Sequence, residues 1–192
     1  HVVGNVMIDT LTQNLNRISA PVFWDEFGLT TGNYIVLTLH RPANVDEAQS
    51  LLTLLQGIDA LAGEKKIIFP VHPRTKAILG DRSLALKNTL MVEPQGYLNF
   101  MFLVKNSFAV ITDSGGISEE TTVLGVPCFT MRNNTERPET QTIGTNTLVG
   151  TSIENLKKLF GDFLMNGPKP AGIPELWDGK ASERIIEILL QK

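Results

Sequence analysis

The sequence predicts an α/β fold in which helices cover both faces of a doubly wound, mostly parallel sheet. Short apolar runs recur along the chain without the alternation of a half-exposed strand, which is typical of strands buried on both faces. Segments with helical spacing of apolar residues separate these runs, as the crossovers between parallel strands require. Polar residue types are concentrated directly after the runs, where parallel strands expose their carboxyl ends.

The first third of the chain contains one helix, one strand and a second helix. Val6 to Ile18 has apolar residues at helical spacing, and Pro21 ends the segment. Phe23 to Gly28 is predicted to be an irregular connection or a short turn. Tyr34 to Leu39 is a continuous β-rich run and predicts a buried strand, and Asp46 to Leu61 predicts a helix with one leucine-rich face.

The middle of the chain repeats this alternation. Ile67 to Val71 predicts the second strand, and a short helix ending at Leu79 follows it. Leu90 to Val92 predicts a short third strand, and Tyr97 to Val104 is helical. Phe108 to Ile111 predicts the fourth, central strand.

A polar turn with two glycines then opens a helix that ends at Leu124 and is closed by Gly125 and Pro127. A loop rich in proline and glycine precedes the last helix. The remaining predicted elements are the strands Cys128–Met131 and Thr147–Val149 and the amphipathic helices Ile153–Leu164 and Ala181–Leu190.

Composition excludes several classes of protein. The 192 residues suffice for one sizeable domain or two small ones, and 42% hydrophobic with 19% charged residues is ordinary for a globular protein. A net charge of −3 without a basic run gives no support for nucleic-acid binding. The single cysteine, Cys128, excludes an intrachain disulfide and a multi-cysteine zinc site, and its apolar surroundings predict a buried, inert thiol.

No stretch is long enough to span a membrane and no signal-peptide pattern is present, so the cytoplasm is the expected compartment. Because the first residue is His1 and not Met, we expect a processed or truncated piece of a longer chain.

The turn after the central strand predicts an anion site. A strand that leads into a glycine loop and a helix N-terminus presents free N–H groups and the positive end of the helix dipole. Ser114 adds a hydroxyl donor, and Gly115 and Gly116 let a phosphate approach the backbone. A simpler explanation stays open, in which the glycines only form a sharp turn and Ser114 only caps the helix.

Two adjacent carboxylates, Glu119 and Glu120, follow about one helical turn later, where a carboxylate can accept hydrogen bonds from a ribose diol. They lie about 100° apart on the helix, so only one is expected to face a ligand, and we choose Glu120.

Reactive residue types share the predicted carboxyl edge of the sheet. Two of the three histidines, His40 and His72, stand immediately after strands. Each histidine alone could be a hydrogen-bonded loop residue, but the shared edge favours a functional site. The polar segments on this edge are His40-Arg41, His72-Pro73-Arg74, Glu93-Pro94-Gln95, Asp113-Ser114-Gly115-Gly116 and Arg132-Asn133-Asn134.

Taken in order, the motifs resemble those of the non-hydrolysing UDP-N-acetylglucosamine 2-epimerases. The resemblance runs from residue 2 to about residue 150, and the helix at 179–186 also fits. The motifs that carry it are 3–9 (VGNVMID), 38–41 (TLHR), 70–73 (PVHP), 94–98 (PQGYL), 112–120 (TDSGGISEE), 124–127 (LGVP) and 132–140 (RNNTERPET).

This resemblance implies two Rossmann-like domains arranged as in GT-B enzymes, of which the chain is the C-terminal, nucleotide-binding half. It implies a crossing segment and helix at 1–22, a nucleotide-binding domain at 23–178 and a C-terminal helix at 179–192 that packs toward the N-terminal domain. The implied reaction interconverts UDP-GlcNAc and UDP-ManNAc for polysaccharide biosynthesis, by elimination and re-addition of UDP, without a metal or redox cofactor. The full-length protein is then expected to be a homodimer.

The resemblance also assigns residues to the nucleotide. Ser114, Gly115 and Gly116 would hold the diphosphate, with Arg137 approaching it, and Glu120 would bind the ribose hydroxyls. Gln95 and Phe100 would contact the uracil, Phe100 by stacking.

Three further residues match positions of the family outside the nucleotide contacts. His40 matches the active-site histidine, whose imidazole can shuttle a proton or stabilise the leaving diphosphate. Arg41 and His72 match positions that bind a second, activating UDP-GlcNAc in some bacterial members.

Two departures from the family pattern stand out. The family often has Arg-Arg-Glu-Asn after its histidine, but this chain has Arg41-Pro42-Ala43-Asn44, and the missing glutamate weakens the case for the activating site. Ser118 replaces a common glutamine, and we expect this change to be neutral.

The catalytic carboxylates of the family lie in the N-terminal domain, so the chain alone is expected to bind UDP weakly without epimerase activity. Two alternative functions stay open. The donor-binding half of a GT-B glycosyltransferase would share the sheet and the loop, but residues 135–139 (TERPE) argue against it. A non-catalytic nucleotide-sugar-binding module is favoured by the missing carboxylates.

Overall fold

A six-stranded parallel sheet forms the centre of the molecule, which a computed structural model describes at residues 1–80 and 86–191, with only the backbone of Pro42 and Ala43. The strands are β1 Tyr34–Thr38, β2 Lys66–Pro70, β3 Thr89–Val92, β4 Ala109–Thr112, β5 Cys128–Thr130 and β6 Asn146–Leu148. Their order is β3-β2-β1-β4-β5-β6 and every neighbouring pair is parallel. The predicted doubly wound sheet is thereby confirmed, and the strand order reverses between β1 and β4.

Helices connect the strands and cover both faces of the sheet. The first five are α1 Val6–Asn14, α2 Phe23–Glu26, α3 Pro42–Val45, α4 Ala48–Leu61 and α5 Pro73–Leu79. The others in the described part of the chain are α6 Tyr97–Asn106, α7 Gly115–Leu124, α8 Glu139–Thr142, α9 Ile153–Asn166 and α10 Ala181–Leu190. A single 3₁₀ turn, Leu15–Arg17, continues α1.

Several boundaries differ from those predicted. The helix predicted to run to Ile18 leaves α-geometry after Asn14. The helix predicted from Asp46 begins at Ala48, because the Glu47 carboxylate caps it by accepting hydrogen bonds from two backbone amides. The short helices α3 and α8 were missed, since four residues are too few to show helical periodicity.

The segment Phe23–Gly28, predicted to be an irregular connection or a short turn, contains the four-residue helix α2. Its Trp24 ring stands edge-on to Tyr34 and Phe102, with ring centroids 5.5 and 4.9 Å apart. These aromatic contacts join residues distant in sequence, so a local pattern does not reveal them.

Alternate residues of each strand enter two separate apolar layers. Ile35 and Leu37 face a layer built with α4 and α9, whereas Tyr34 and Val36 face one built with α1 and α6. Both faces of the sheet are therefore buried, which explains why the strands lack period-two patterning. Cys128 lies fully buried in the second layer, so the predicted burial is confirmed, and burial raises the pKa of its thiol to about 11, which disfavours the reactive thiolate.

The two terminal helices pack against each other. Asp9 of α1 accepts backbone hydrogen bonds from Ala181 (3.0 Å) and Ser182 (2.6 Å), so it caps α10 from across the fold. The outer side of α10 leaves Ile186, Leu189 and Leu190 exposed. The division of the chain at residues 22 and 178 stays a prediction, and residue 192 lies outside the described residues. Across the described ranges, no helix combines the length and the apolar character that a bilayer crossing demands.

Candidate functional site

The N-terminus of α7 lies where the strand order reverses, beside the carboxyl end of β1. Ser114 is the N-cap residue with extended backbone angles (φ −88°, ψ 130°), and its side chain makes no capping hydrogen bond. The simpler explanation, in which Ser114 only caps the helix through its side chain, is therefore not supported. Because the first amides of a helix lack intrahelical acceptors, this end of α7 can bind an anion.

A buried arginine stands beside this loop. A Cβ atom at Gly115 would lie 3.0 Å from Nη1 of Arg132, which is tight, so the close packing favours glycine at this position. Arg132 is 6% exposed and donates to the Glu136 carboxylate with both terminal nitrogens, at 2.9 and 2.6 Å, while its Nε has no hydrogen-bond partner. The hydrogen bonds from Arg132 lower the pKa of Glu136 to about 2. The pair therefore stays ionised next to the helix terminus.

Five of the predicted site residues line one open cleft of about 280 Å³ at the carboxyl edge of the sheet. The rest of its wall consists of Thr38, Leu39, Pro70 and Pro94 at or after the ends of β1, β2 and β3, and Ile117 of α7. The five predicted residues in the cleft are His40, His72, Gln95, Phe100 and Ser114. Residues up to 74 positions apart in sequence thus meet at the point where the order of the strands reverses.

His40 projects into this cleft from the end of β1. Its side chain is 60% exposed, and its Nδ1 lies 2.8 Å from Oδ1 of Asp113, which is completely buried. Asp113 was not assigned a role from sequence, since nothing local to it indicates a partner 73 residues earlier.

The two adjacent glutamates of α7 have different partners, as their angular separation predicts. Glu119 accepts hydrogen bonds from Asn5 Nδ2 (2.6 Å) and Arg137 Nε (2.9 Å). Glu120 is 4% exposed and hydrogen-bonds to the hydroxyl of Tyr97 at the start of α6. The cleft wall contains neither glutamate nor Arg137, so their predicted contacts with ribose and phosphate stay predictions.

The carboxyl of Glu120 has an unusually high pKa. Burial raises the pKa of its carboxyl to about 7, with a further rise from the neighbouring Glu119, and both outweigh the lowering by the Tyr97 hydroxyl. Burial, together with the nearby Glu120, also raises the pKa of Tyr97. The carboxyl of Glu120 can therefore act as donor or acceptor near neutral pH.

The two residues assigned to an activating site, Arg41 and His72, follow the neighbouring strands β1 and β2. Arg41 is exposed and its Nε donates to the backbone oxygen of Asp113 at 3.1 Å. His72 caps α5, because its Nδ1 accepts the amide proton of Arg74 at 3.3 Å. His72 lines the cleft and Arg41 does not, so the structure supports only part of a shared arrangement.

Two cavities are larger than this cleft. One of about 550 Å³ lies beside the N-terminal turns of α4 and α9, and one of about 350 Å³ lies near Pro127 and Lys169. Neither cavity is lined by a histidine or by a residue of the glycine loop, so neither offers the imidazole or the helix N-terminus that the smaller cleft provides. Within residues 1–80 and 86–191 there is no group of three or more His, Cys, Asp or Glu residues suited to a metal ion.

Comparison with known proteins identifies relatives along the whole chain. A profile of the family described as UDP-N-acetylglucosamine 2-epimerase matches residues 1–190. The UDP-N-acetylglucosamine 2-epimerase of Methanocaldococcus jannaschii is 40% identical over 202 aligned positions, which cover 98% of this chain and 54% of the relative. The UDP-2,3-diacetamido-2,3-dideoxy-D-glucuronate 2-epimerase of Pseudomonas aeruginosa is 32% identical over 97% of this chain and 51% of its own.

Solved structures agree with this assignment. The M. jannaschii UDP-GlcNAc 2-epimerase in complex with UDP-GlcNAc and UDP superimposes with a TM-score of 0.83 at 39% identity, over 100% of this chain and 55% of that one. The chain thus spans about half the length of the curated relatives it matches. With a profile match over nearly every residue and relatives this similar, the chain belongs to the UDP-N-acetylglucosamine 2-epimerase family.

Proposed function

We propose that this chain is the UDP-binding half of an isomerase that interconverts UDP-GlcNAc and UDP-ManNAc. The observation that carries the proposal is the cleft at the strand-order reversal, which joins His40, Phe100 and Ser114. It supplies an imidazole, an aromatic face and a helix N-terminus within one space, as a nucleotide sugar requires. The relative from M. jannaschii, whose structure contains UDP-GlcNAc and UDP, supports the choice of ligand.

Each part of the nucleotide has a candidate partner in or beside this cleft. The diphosphate lies at Ser114 and the amides of Gly115 and Gly116, where the dipole of α7 and the cations Arg132 and Arg137 favour negative charge. A second set of residues binds the nucleoside and the sugar. In this set, Gln95 and Phe100 contact the uracil, and Glu120 accepts hydrogen bonds from the ribose hydroxyls. His40 faces the bond between the sugar and the phosphate. Arg41 and His72 belong to a separate, activating site.

The base that removes the C2 proton comes from the half of the protein that this chain lacks. The buried carboxylates near the cleft already have partners, Asp113 in backbone and side-chain donors and Glu119 in Asn5 and Arg137. Glu120 hydrogen-bonds to the Tyr97 hydroxyl and is assigned to the ribose in this proposal. The chain alone therefore binds UDP without epimerising it. Family membership disfavours the donor-binding domain of a glycosyltransferase.

Calorimetric titration with UDP tests the nucleotide site through a pair of glycine variants. A Cβ added at Gly116 meets no atom closer than 3.9 Å, so Gly116→Ala folds normally but intrudes on a phosphate held at the amides. Gly161→Ala is the matched control, because this helical glycine has open space around it. We expect wild type and Gly161→Ala to bind alike and Gly116→Ala to lose roughly tenfold or more in affinity, about 1.4 kcal/mol. Equal binding by all three proteins would show that the phosphate does not bind at this loop.

The nucleotide-sugar substrate and the resemblance of the motifs further lead us to propose that the full-length protein works in the cytoplasm as a homodimer. Light scattering on the full-length protein tests the dimer, and a monomer at micromolar concentration contradicts it.

A further inference from the structure

Asp113 accepts an unusual number of hydrogen bonds for one carboxylate. Oδ2 receives the backbone N–H of Arg41 (2.9 Å), the backbone N–H of His40 (3.1 Å) and the Nδ2 amide of Asn44 (2.9 Å). Oδ1 lies 3.2 Å from the same His40 N–H and 2.8 Å from His40 Nδ1. The side chain is completely buried, so these donors take the place of water.

Strand pairing brings these groups together. β1 and β4 are neighbours with Thr38 opposite Thr112, so the residues that follow the two strands emerge side by side. The hydroxyls of Thr38 and Thr112 lie 2.8 Å apart, and the Asp113 amide donates to the Thr38 carbonyl at 3.2 Å. The contact between His40 and Asp113 therefore lies one or two residues beyond the paired ends of two central strands.

This arrangement determines which nitrogen of His40 carries the proton. The backbone N–H groups of His40 and Arg41 can only donate, and Asn44 turns its NH₂ group toward the carboxylate, so the carboxylate oxygens act as acceptors. His40 Nδ1 must then donate as well, and a neutral imidazole with a proton on Nδ1 has a free lone pair on Nε2.

We propose that Asp113 is a positioning residue that holds His40 in the Nδ1–H tautomer, so that Nε2 accepts a hydrogen bond or a proton from the substrate in the cleft. The role of Nε2 toward substrate rests on the proposed function, whereas the tautomer is a property of the chain without nucleotide. A carboxylate behind the ring also stabilises the imidazolium once Nε2 is protonated.

His72 provides an internal reference on the same edge of the sheet. Its Nδ1 accepts the amide proton of Arg74, so its neutral form carries the proton on Nε2. Two histidines that line one cleft are therefore expected to hold opposite tautomers.

Nuclear magnetic resonance of the chain labelled with ¹⁵N-histidine tests this directly, because long-range ¹H–¹⁵N spectra distinguish the two tautomers of a neutral imidazole. Signals are assigned with His40→Gln and His72→Gln. We expect Nδ1–H for His40 and Nε2–H for His72. An Nε2–H signal from His40 overturns the proposal, even if UDP binds.

Two variants separate positioning from folding. Asp113→Asn introduces an NH₂ group among donors, and we expect loss of the fixed His40 tautomer, whereas Asn44→Ala leaves the carboxylate and should retain it. A folded Asp113→Asn protein that keeps Nδ1–H refutes the role of Asp113. If this variant does not fold, the wild-type and Asn44→Ala spectra decide, since loss of Nδ1–H in either one overturns the proposal. UDP titration is a separate readout, because failure to bind UDP alongside the expected tautomers contradicts the proposed function alone.

Discussion

Replacement of Glu120 by glutamine should make the protein more stable at alkaline pH and leave its stability unchanged at acid pH. The carboxyl is 4% exposed, and burial raises its pKa from 4.5 to about 7. The folded state therefore holds a proton that the unfolded state releases, so the contribution to stability is full below pH 4.5 and falls as the pH rises through about 7. Since one pKa unit corresponds to about 1.4 kcal/mol, the ionised form costs about 3 kcal/mol at pH 8.

Glu120→Gln removes this cost because the amide is neutral at every pH, and its oxygen still accepts the hydrogen bond of the Tyr97 hydroxyl. We expect a gain in unfolding free energy of about 2–3 kcal/mol at pH 8 and of about 1 kcal/mol or less at pH 5, measured by urea denaturation. Glu175→Gln, on an exposed residue, is the matched control and should show no such pH dependence.

A gain that is the same at pH 5 and pH 8 would refute the reasoning, because it would show that the carboxyl titrates normally in the folded state. The ribose contact proposed for Glu120 adds a second expectation. The stabilised variant should bind UDP more weakly, as is common when a binding site keeps a destabilising group.

Two further substitutions test the packing that supports the site. Asp9→Ala removes the cap of α10 and should cost about 1–2 kcal/mol at neutral pH by urea denaturation. Burial raises the pKa of Asp9, but hydrogen bonds from Ser182 and Ala181 outweigh it and hold the pKa below the usual 3.8. The charge-dependent part of the difference between wild type and variant should therefore persist above pH 3.8 and shrink as the pH falls further, through the lowered pKa. Gly57→Ala places a Cβ into the side chain of Ile153 where α4 crosses α9 and should cost about 1–3 kcal/mol, an outcome that thermal unfolding can check, and an unchanged midpoint would contradict the packing.

The strands were predictable because their signal is local. Tyr34–Thr38 is a run of β-favouring residues, and since both faces of the sheet are covered, every position had to be apolar or able to hydrogen-bond within the core. The helix α2 was not predictable, since it depends on the packing of Trp24 against rings elsewhere in the chain.

In the candidate site, too, some features were predictable from the sequence and others were not. His40 and Ser114 were predicted because reactive residues that directly follow buried strands must share one edge of a parallel sheet. Arg132 follows β5 on that edge too, but its place beside Gly115 depends on the conformation of the loop up to Glu136.

The pattern of residues alone thus specifies the strands and the longer helices in chain order, the edge at which they present their polar side chains and the family to which the motifs point. It could do so because periodicity, turn residues and motif spacing are local properties of the chain. The contacts between side chains depend on the tertiary structure, because they join residues on different strands and helices. Asp113 meets His40 across 73 residues, and Glu119 joins Asn5 to Arg137, whereas Glu120 is left with Tyr97.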